Sequence, residues 1–231
     1  MKISNTDKWL IIGIGGITLL TLSWIYRGAI KRGVVAGAEA VTGFVNKLIN
    51  QAKEEWDFWS RGSSKEGNPA TMERLRKYWR EGAGVQGWSD QKMTNEAWSA
   101  AFISYIMKKS GAGSDWKYSA SHSDYIRDSI KNRKQNNSNP FKGYKPEEVK
   151  VEIGDIVGKP RQDGVTYDTT GAYKSHTDVV IDIKDGYAET IGGNVSDSVS
   201  MTKVPLTADG KIDNSKVSGY KYFVVIKNEK K

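Results

Sequence analysis

Two histidines, a serine among apolar residues and a glycine pair before an asparagine mark where this 231-residue chain could do chemistry. His176 opens the run His176-Thr-Asp-Val-Val-Ile-Asp-Ile183. Its hairpin partner is Tyr187 to Asn194, across Lys184-Asp-Gly186. A three-residue loop with Gly186 left-handed sets Ile183 opposite Tyr187 and His176 opposite Asn194. A two-residue Asp185-Gly186 turn sets Asn194 opposite Thr177 instead, and Gly192-Gly193 offers a place for a bulge. Either way His176 and Asn194 share the open end of one hairpin. An imidazole oriented by an amide or a carboxylate is a general base. Asn194 and Asp178 are the two candidates for that orienting role. One register problem is visible: Thr177, Val179, Ile181 and Ile183 form the apolar face of a regular strand. His176 then points to the other face, which must be covered or twisted for a site to form.

Ser99 is the candidate nucleophile. The spacing of Trp98, Ala101, Phe102, Tyr105 and Ile106 predicts a helix, capped by Thr94 or Asn95 and closed by Gly111 and Gly113. Glu96 falls in its first turn, where the helix dipole favours an anion, and Ser99 gains from the same field. A serine hydroxyl is protonated at neutral pH and needs a base. A serine in a helix also serves simply as a small packing residue. His122 has two readings as well, a structural histidine bonded to backbone carbonyls or a site residue that binds substrate or an oxyanion. The absence of Cys excludes disulfides, thiolate metal sites and a thiol nucleophile. Two histidines leave little for a metal centre, so neither metal nor cofactor is expected.

The elements that must position these residues form three parts. Residues 1–27 contain the uncharged run Trp9 to Ile25, about 26 Å long as a helix at roughly 1.5 Å per residue. With Trp9, Trp24 and Tyr26 as interfacial anchors, it reads as a retained membrane helix contacting lipid through 9–26. Lys2 and Lys8 before it, and Arg27, Lys31 and Arg32 after it, lean towards a cytoplasmic C-terminal bulk. Residues 28–69 hold a helix and a linker. Val34, Ala38, Val41, Val45, Leu48 and Ala52 make a heptad-type stripe, which suits a self-associating stalk over 34–52 or a face packed on the domain or a membrane. The polar run 61–69 is the linker. Residues 70–231 are the main domain. Helices are expected over 71–81, from 94 to 111 and over 121–132, then a polar loop over 133–146. Strands are expected over 149–153, 155–158, 177–183, 187–191 and 220–227. Helices followed by strands on tight turns predict an α+β fold with an antiparallel sheet.

Thirty-five Lys and Arg against 27 Asp and Glu leave a net charge of +8, which points to an anionic partner such as cell-wall polymer, lipid headgroups or nucleic acid. Nucleic acid is disfavoured, because no basic stripe interleaves with aromatics in a binding module. Eight Trp and eleven Tyr suit a carbohydrate-facing surface, and cores and membrane belts use them too.

Trp98-Ser-Ala-Ala-Phe-Ile-Ser104 resembles the nucleophile helix of the papain-like NlpC and CHAP cell-wall peptidases. Ser119-Ala-Ser-His-Ser-Asp-Tyr125, Gly154-Asp-Ile-Val157 with Arg161 soon after, His176-Thr-Asp178 and Ile191-Gly-Gly-Asn-Val195 follow in the order of that superfamily. More closely, the set resembles an uncharacterised bacterial and phage branch of it, over roughly residues 75–226. The resemblance implies a papain-like α+β domain that hydrolyses an amide bond of peptidoglycan, as an amidase or endopeptidase. Ser99 would take the nucleophile position, His176 the base position, and Asn194 or Asp178 the orienting one. His122, Arg161, Trp98 and Glu96 would lie beside the substrate. The chain departs from the superfamily in holding Ser99 where a thiol is usual, and Ser is the usual residue of that branch. The alternative is a catalytically inactive cell-wall-binding or structural module that keeps the fold, such as a phage virion or membrane-associated entry protein. With the membrane helix, the expected location is a single-pass protein of a bacterial envelope or of a membrane-containing phage virion.

Overall fold

Among the described residues the longest unbroken buried run is Trp98–Met107, most of the helix Ser99–Ser110, and the rest of the fold is arranged around it. The structure is a computed structural model that describes residues 43–230. We number the helices α1 (Gly43–Phe58), α2 (Pro69–Lys77), α3 (Asp90–Asn95), α4 (Ser99–Ser110) and α5 (His122–Lys134). The strands are β1 (Phe141–Tyr144), β2 (Ile156–Pro160), β3 (Ser175–Lys184), β4 (Tyr187–Gly192), β5 (Ser200–Pro205) and β6 (Val224–Asn228). They form one sheet in the order β1-β6-β2-β3-β4-β5, antiparallel throughout. The α+β class expected from the sequence is what the chain adopts.

The transmembrane part of that expectation is not supported. Among the described residues no helix is long and apolar enough to cross a membrane. On that finding the membrane anchor and the single-pass envelope or virion location are withdrawn; the run 9–25 and the lipid contact expected through 9–26 lie outside the described residues.

The stripe read as a stalk belongs in part to the core. Phe44, Val45, Leu48, Ile49 and Ala52 are buried on α1, which packs against α4. Such a face is occupied within the chain, and burying each large apolar side chain contributes roughly 1.5–3 kcal/mol. One compact unit, Thr42–Lys231, therefore reaches upstream of the 61–69 linker. Glu55 ends the buried face and accepts from Gln51 Nε2, Arg74 Nη1 and the Tyr78 hydroxyl. Those donors compensate a carboxyl whose pKa burial raises.

Three strand assignments change. Residues 149–153 alternate in sequence, but they form no strand of the sheet. Gly154, at φ 92°, ends them in a turn where Asp155 Oδ2 accepts from Glu152 N–H at 2.8 Å. Val149 and Val151 still pack with Val157, Val180, Leu206 and Tyr222. Conversely, 141–144 lies in the expected polar loop yet pairs with β6 as an edge strand. Its single large buried residue, Phe141, is too little to produce a visible period. β5, over 200–205, was likewise not expected.

The β3–β4 hairpin resolves the register question by using both alternatives. Asp185 and Gly186 both have positive φ, 54° and 77°, and form a two-residue turn. Near it Lys184 faces Tyr187 and Ile183 faces Ala188. A bulge between Val180 and Asp182 then shifts the pairing, so Val179 faces Ile191. That shift carries His176 towards the level of Asn194.

Candidate active site

Ser99 is the first residue of α4 and not a residue of its second turn. Ser89 caps the short helix α3, accepting from Lys92 N–H, and α3 ends at Asn95. Thr94, Asn95 and Glu96 therefore belong to that earlier helix and its exit, and Glu96 is exposed. Trp98 stands at the N-cap of α4 and makes no side-chain cap bond. The first backbone N–H groups of α4 thus remain available, with the positive end of the helix dipole beside the Ser99 hydroxyl.

Trp98 does not face the substrate side. It is wholly buried, stacked on Trp59 with ring centroids 5.0 Å apart and on Tyr78 at 5.6 Å. Its indole N–H donates to the Glu66 carboxylate. This anchor holds the start of α4 and explains the aromatic residue before Ser99.

The ring within hydrogen-bond reach of Ser99 is that of His122. Ser99 Oγ lies 2.5 Å from His122 Nε2. α5 begins at His122, and the Nδ1 nitrogen meets the Thr177 hydroxyl at 2.9 Å and the Tyr125 hydroxyl. Those two hydroxyls are themselves bonded at 2.8 Å. When Nδ1–H donates to this pair, Nε2 is left to accept the Ser99 proton. Burial pushes the His122 pKa well below the ordinary histidine value, helped by the Arg161 guanidinium and the neighbouring His176 ring. The ring is consequently neutral at pH 7 and able to accept.

His176, expected as the base, has a different partner. Its Nε2–H donates to Asp178 Oδ1 at 2.8 Å, and both side chains are buried. By strand alternation His176 and Asp178 share the face of Val180, which packs on Leu206, Ile212 and Tyr222. Cover on this second face answers the sequence's register problem. Gly192 gives the pair its space: a Cβ there would overlap Asp178 Oδ1 and stand 3.1 Å from His176 Nε2. Gly193, on the other side of the strand, lets Phe102 of α4 approach, since a Cβ would meet its Cβ at 2.5 Å.

The two imidazoles are 5.4 Å apart, centroid to centroid. Both line a cavity of about 600 Å³, together with Ser99, Arg161, Tyr173 and Asn194. Asn194 takes a left-handed backbone at φ 54° and makes no side-chain hydrogen bond to either ring among the described residues. Of the sequence candidates, the fold thus gathers Ser99, His122, His176, Arg161 and Asn194 around one cavity, with Asp178 behind His176. Glu96 and Trp98 do not line it. Sequence reasoning missed Tyr125, Thr177 and Tyr173. Tyr125 lies three residues after His122, the spacing that puts two side chains on one helix face. Thr177 and Tyr173 carried no comparable signal. Among the described residues no cluster of His, Asp and Glu could hold a metal ion.

No curated protein and no solved structure matches the chain. A family model matches residues 57–228 and takes in every side chain of the cavity and both histidine partners. The chain belongs to DUF2272, a family described as an uncharacterized protein conserved in bacteria.

Proposed function

We propose that the domain is a serine-dependent amide hydrolase of the papain-like NlpC/CHAP type, acting on peptidoglycan. The observation that carries this reading is the 2.5 Å contact between Ser99 Oγ and His122 Nε2 on the wall of a cavity. The ordered resemblance to cell-wall peptidases supplies the substrate.

In the mechanism, Ser99 Oγ attacks the amide carbonyl carbon while His122 Nε2 takes its proton. The free N–H groups at the start of α4 face the developing oxyanion. As the C–N bond breaks, His122 returns the proton to the leaving amine. Water then hydrolyses the acyl ester with the same base. The Thr177 and Tyr125 hydroxyls hold the ring in the accepting tautomer. The His176–Asp178 pair borders the reacting centre without touching Ser99.

Purified peptidoglycan incubated with the full chain is expected to release soluble fragments, and Ser99→Ala is expected to abolish the release. Equal release by both proteins would end the serine reading. A second reading, a wall-binding module without turnover, draws on one feature: among the described residues no carboxylate contacts His122. It predicts cosedimentation with peptidoglycan that Ser99→Ala and His122→Gln leave intact, with no product from any of them.

A further inference from the structure

Ser99 is the first residue of α4, so its hydroxyl is placed by a helix end, where fraying begins. One frayed turn would carry Ser99 Oγ away from His122 Nε2. The 2.5 Å contact therefore needs a support outside α4, and no side chain caps the helix. That support falls on Trp98. Stacking on Trp59 and Tyr78 fixes the plane of its indole. Apolar contact between ring faces is non-directional and leaves the ring free to slide within that plane. The indole N–H, the one polar group of the side chain, stops the slide by donating to the Glu66 carboxylate.

Glu66 is a fixed point because the strap that carries it, residues 62–68, is tied on two sides. On one side Thr71, buried on α2, donates its hydroxyl to Lys65 O at 2.9 Å. On the other, Glu66 N–H donates to Asp197 O at 2.9 Å and Lys65 Nζ donates to Ser196 O at 2.7 Å. Those acceptors lie in the loop after β4, where Asn194, Ser196 and Asp197 take positive φ of 54°, 52° and 60°. A non-glycine backbone stays in that region only where its surroundings hold it. Asn194 lines the Ser99 cavity. One strap thus reaches two walls of the cavity, Ser99 through Trp98 and the Asn194 loop through Ser196 and Asp197.

We propose that Glu66 is a positioning residue for Ser99: through the Trp98 indole it holds the first turn of α4 where the serine hydroxyl meets His122. The proposal rests on the Ser99–His122 reading for the chemistry that this position serves. Glu66 does not line the cavity, so it acts on the geometry of attack and not on the binding of substrate. What it supplies is an acceptor oxygen and not a charge. Burial, with the Asp197 carboxylate nearby, raises the Glu66 carboxyl above its ordinary value, so charge is disfavoured there. Glutamine keeps the acceptor and alanine removes it.

A fluorophosphonate probe on the full chain tests this. Ser99 Oγ displaces fluoride from phosphorus as its proton passes to His122, and the labelling rate separates into a maximal rate and a half-saturating concentration. Glu66→Ala is expected to lower the maximal rate by about tenfold or more, as a small misplacement of reacting atoms does, and to leave the half-saturating concentration within about twofold. Glu66→Gln is expected to keep both within about threefold, since the acceptor remains. An undiminished maximal rate in Glu66→Ala, an equal fall in Glu66→Gln, or a change confined to the half-saturating concentration would overturn the proposal. Amide exchange reads the same support without turnover. The Phe102 N–H, bonded to Trp98 O at 2.9 Å, is expected to exchange faster in Glu66→Ala and at the original rate in Glu66→Gln. Unchanged Phe102 exchange in Glu66→Ala would equally refute it. An unsubstituted chain that the probe does not label, with Phe102 exchange as expected, would end the hydrolase reading and leave Glu66 as the support of α4.

Discussion

The two histidines are 5.4 Å apart and have opposite surroundings. His122 touches Ser99 but is surrounded by hydroxyls, and burial with the nearby Arg161 charge holds it neutral. His176 has a buried carboxylate partner but no contact with Ser99. A serine triad normally joins nucleophile contact and carboxylate support on one ring. Here they fall on two rings. The difference teaches that position in a strand decides a histidine's partner. β3 alternates Thr177 towards α5 and Asp178 towards the opposite face, so the carboxylate goes to the ring on its own strand.

Substitution of the two rings tests this division most strongly. His122→Gln is expected to lower kcat on peptidoglycan by about 10²–10⁴, the range of a lost general base. His176→Gln is expected to lower it by no more than about tenfold. The reverse order would make His176 the base.

Gly192→Ala attacks only the carboxylate-supported ring. The new methyl overlaps Asp178 Oδ1 and forces the pair apart, so a loss of about 1–3 kcal/mol in unfolding free energy is expected. An unchanged melting temperature would mean that the His176–Asp178 geometry is not as tight as described.

Stability against pH tests the neutral, buried state of His122. The folded pKa of His122 lies below the unfolded value of 6.5, so below about pH 6.5 the unfolded chain binds the proton first. Stability is therefore expected to fall as pH drops from 6.5 towards the folded pKa, by at most about 1.4 kcal/mol per pH unit. His122→Gln removes that slope. Asp155 acts in the other direction. Burial raises its pKa from 3.8 to about 6 despite the Lys227 contact at 2.6 Å, so stability is gained as pH falls through that window. A denaturation series from pH 7 to 4 on the unsubstituted chain, His122→Gln and Asp155→Asn resolves the two contributions. A His122→Gln slope equal to the original would contradict a neutral buried ring.

Thr177→Val is the smallest of these changes. It removes one acceptor from Nδ1 and leaves the Tyr125 hydroxyl. A cost near 1 kcal/mol and a severalfold fall in kcat are expected. An effect as large as that of His122→Gln would mean that Thr177 alone fixes the tautomer.

Much of this was legible in the chain itself. The α+β class followed from periodicity that changes from helical to alternating after Glu148. The β3–β4 hairpin followed from Asp185-Gly186, although neither register alone was right, because a bulge has no residue signature here. The stripe through Val45, Leu48 and Ala52 was visible, but a stripe does not say what covers it, and tertiary packing placed it on α4. Alternation failed at 149–153 because β-propensity says nothing of available partners: β2 already has β3 and β6 at its sides.

Sequence by itself determined the chemical inventory, namely a serine in the Trp98–Ser104 run with no thiol in the chain, two histidines and the motifs around them. Tertiary structure alone decided which histidine serves Ser99. The start of α5 and the alternation of β3 are set by long-range packing, and a ring nitrogen can serve only the hydroxyl that packing brings to it.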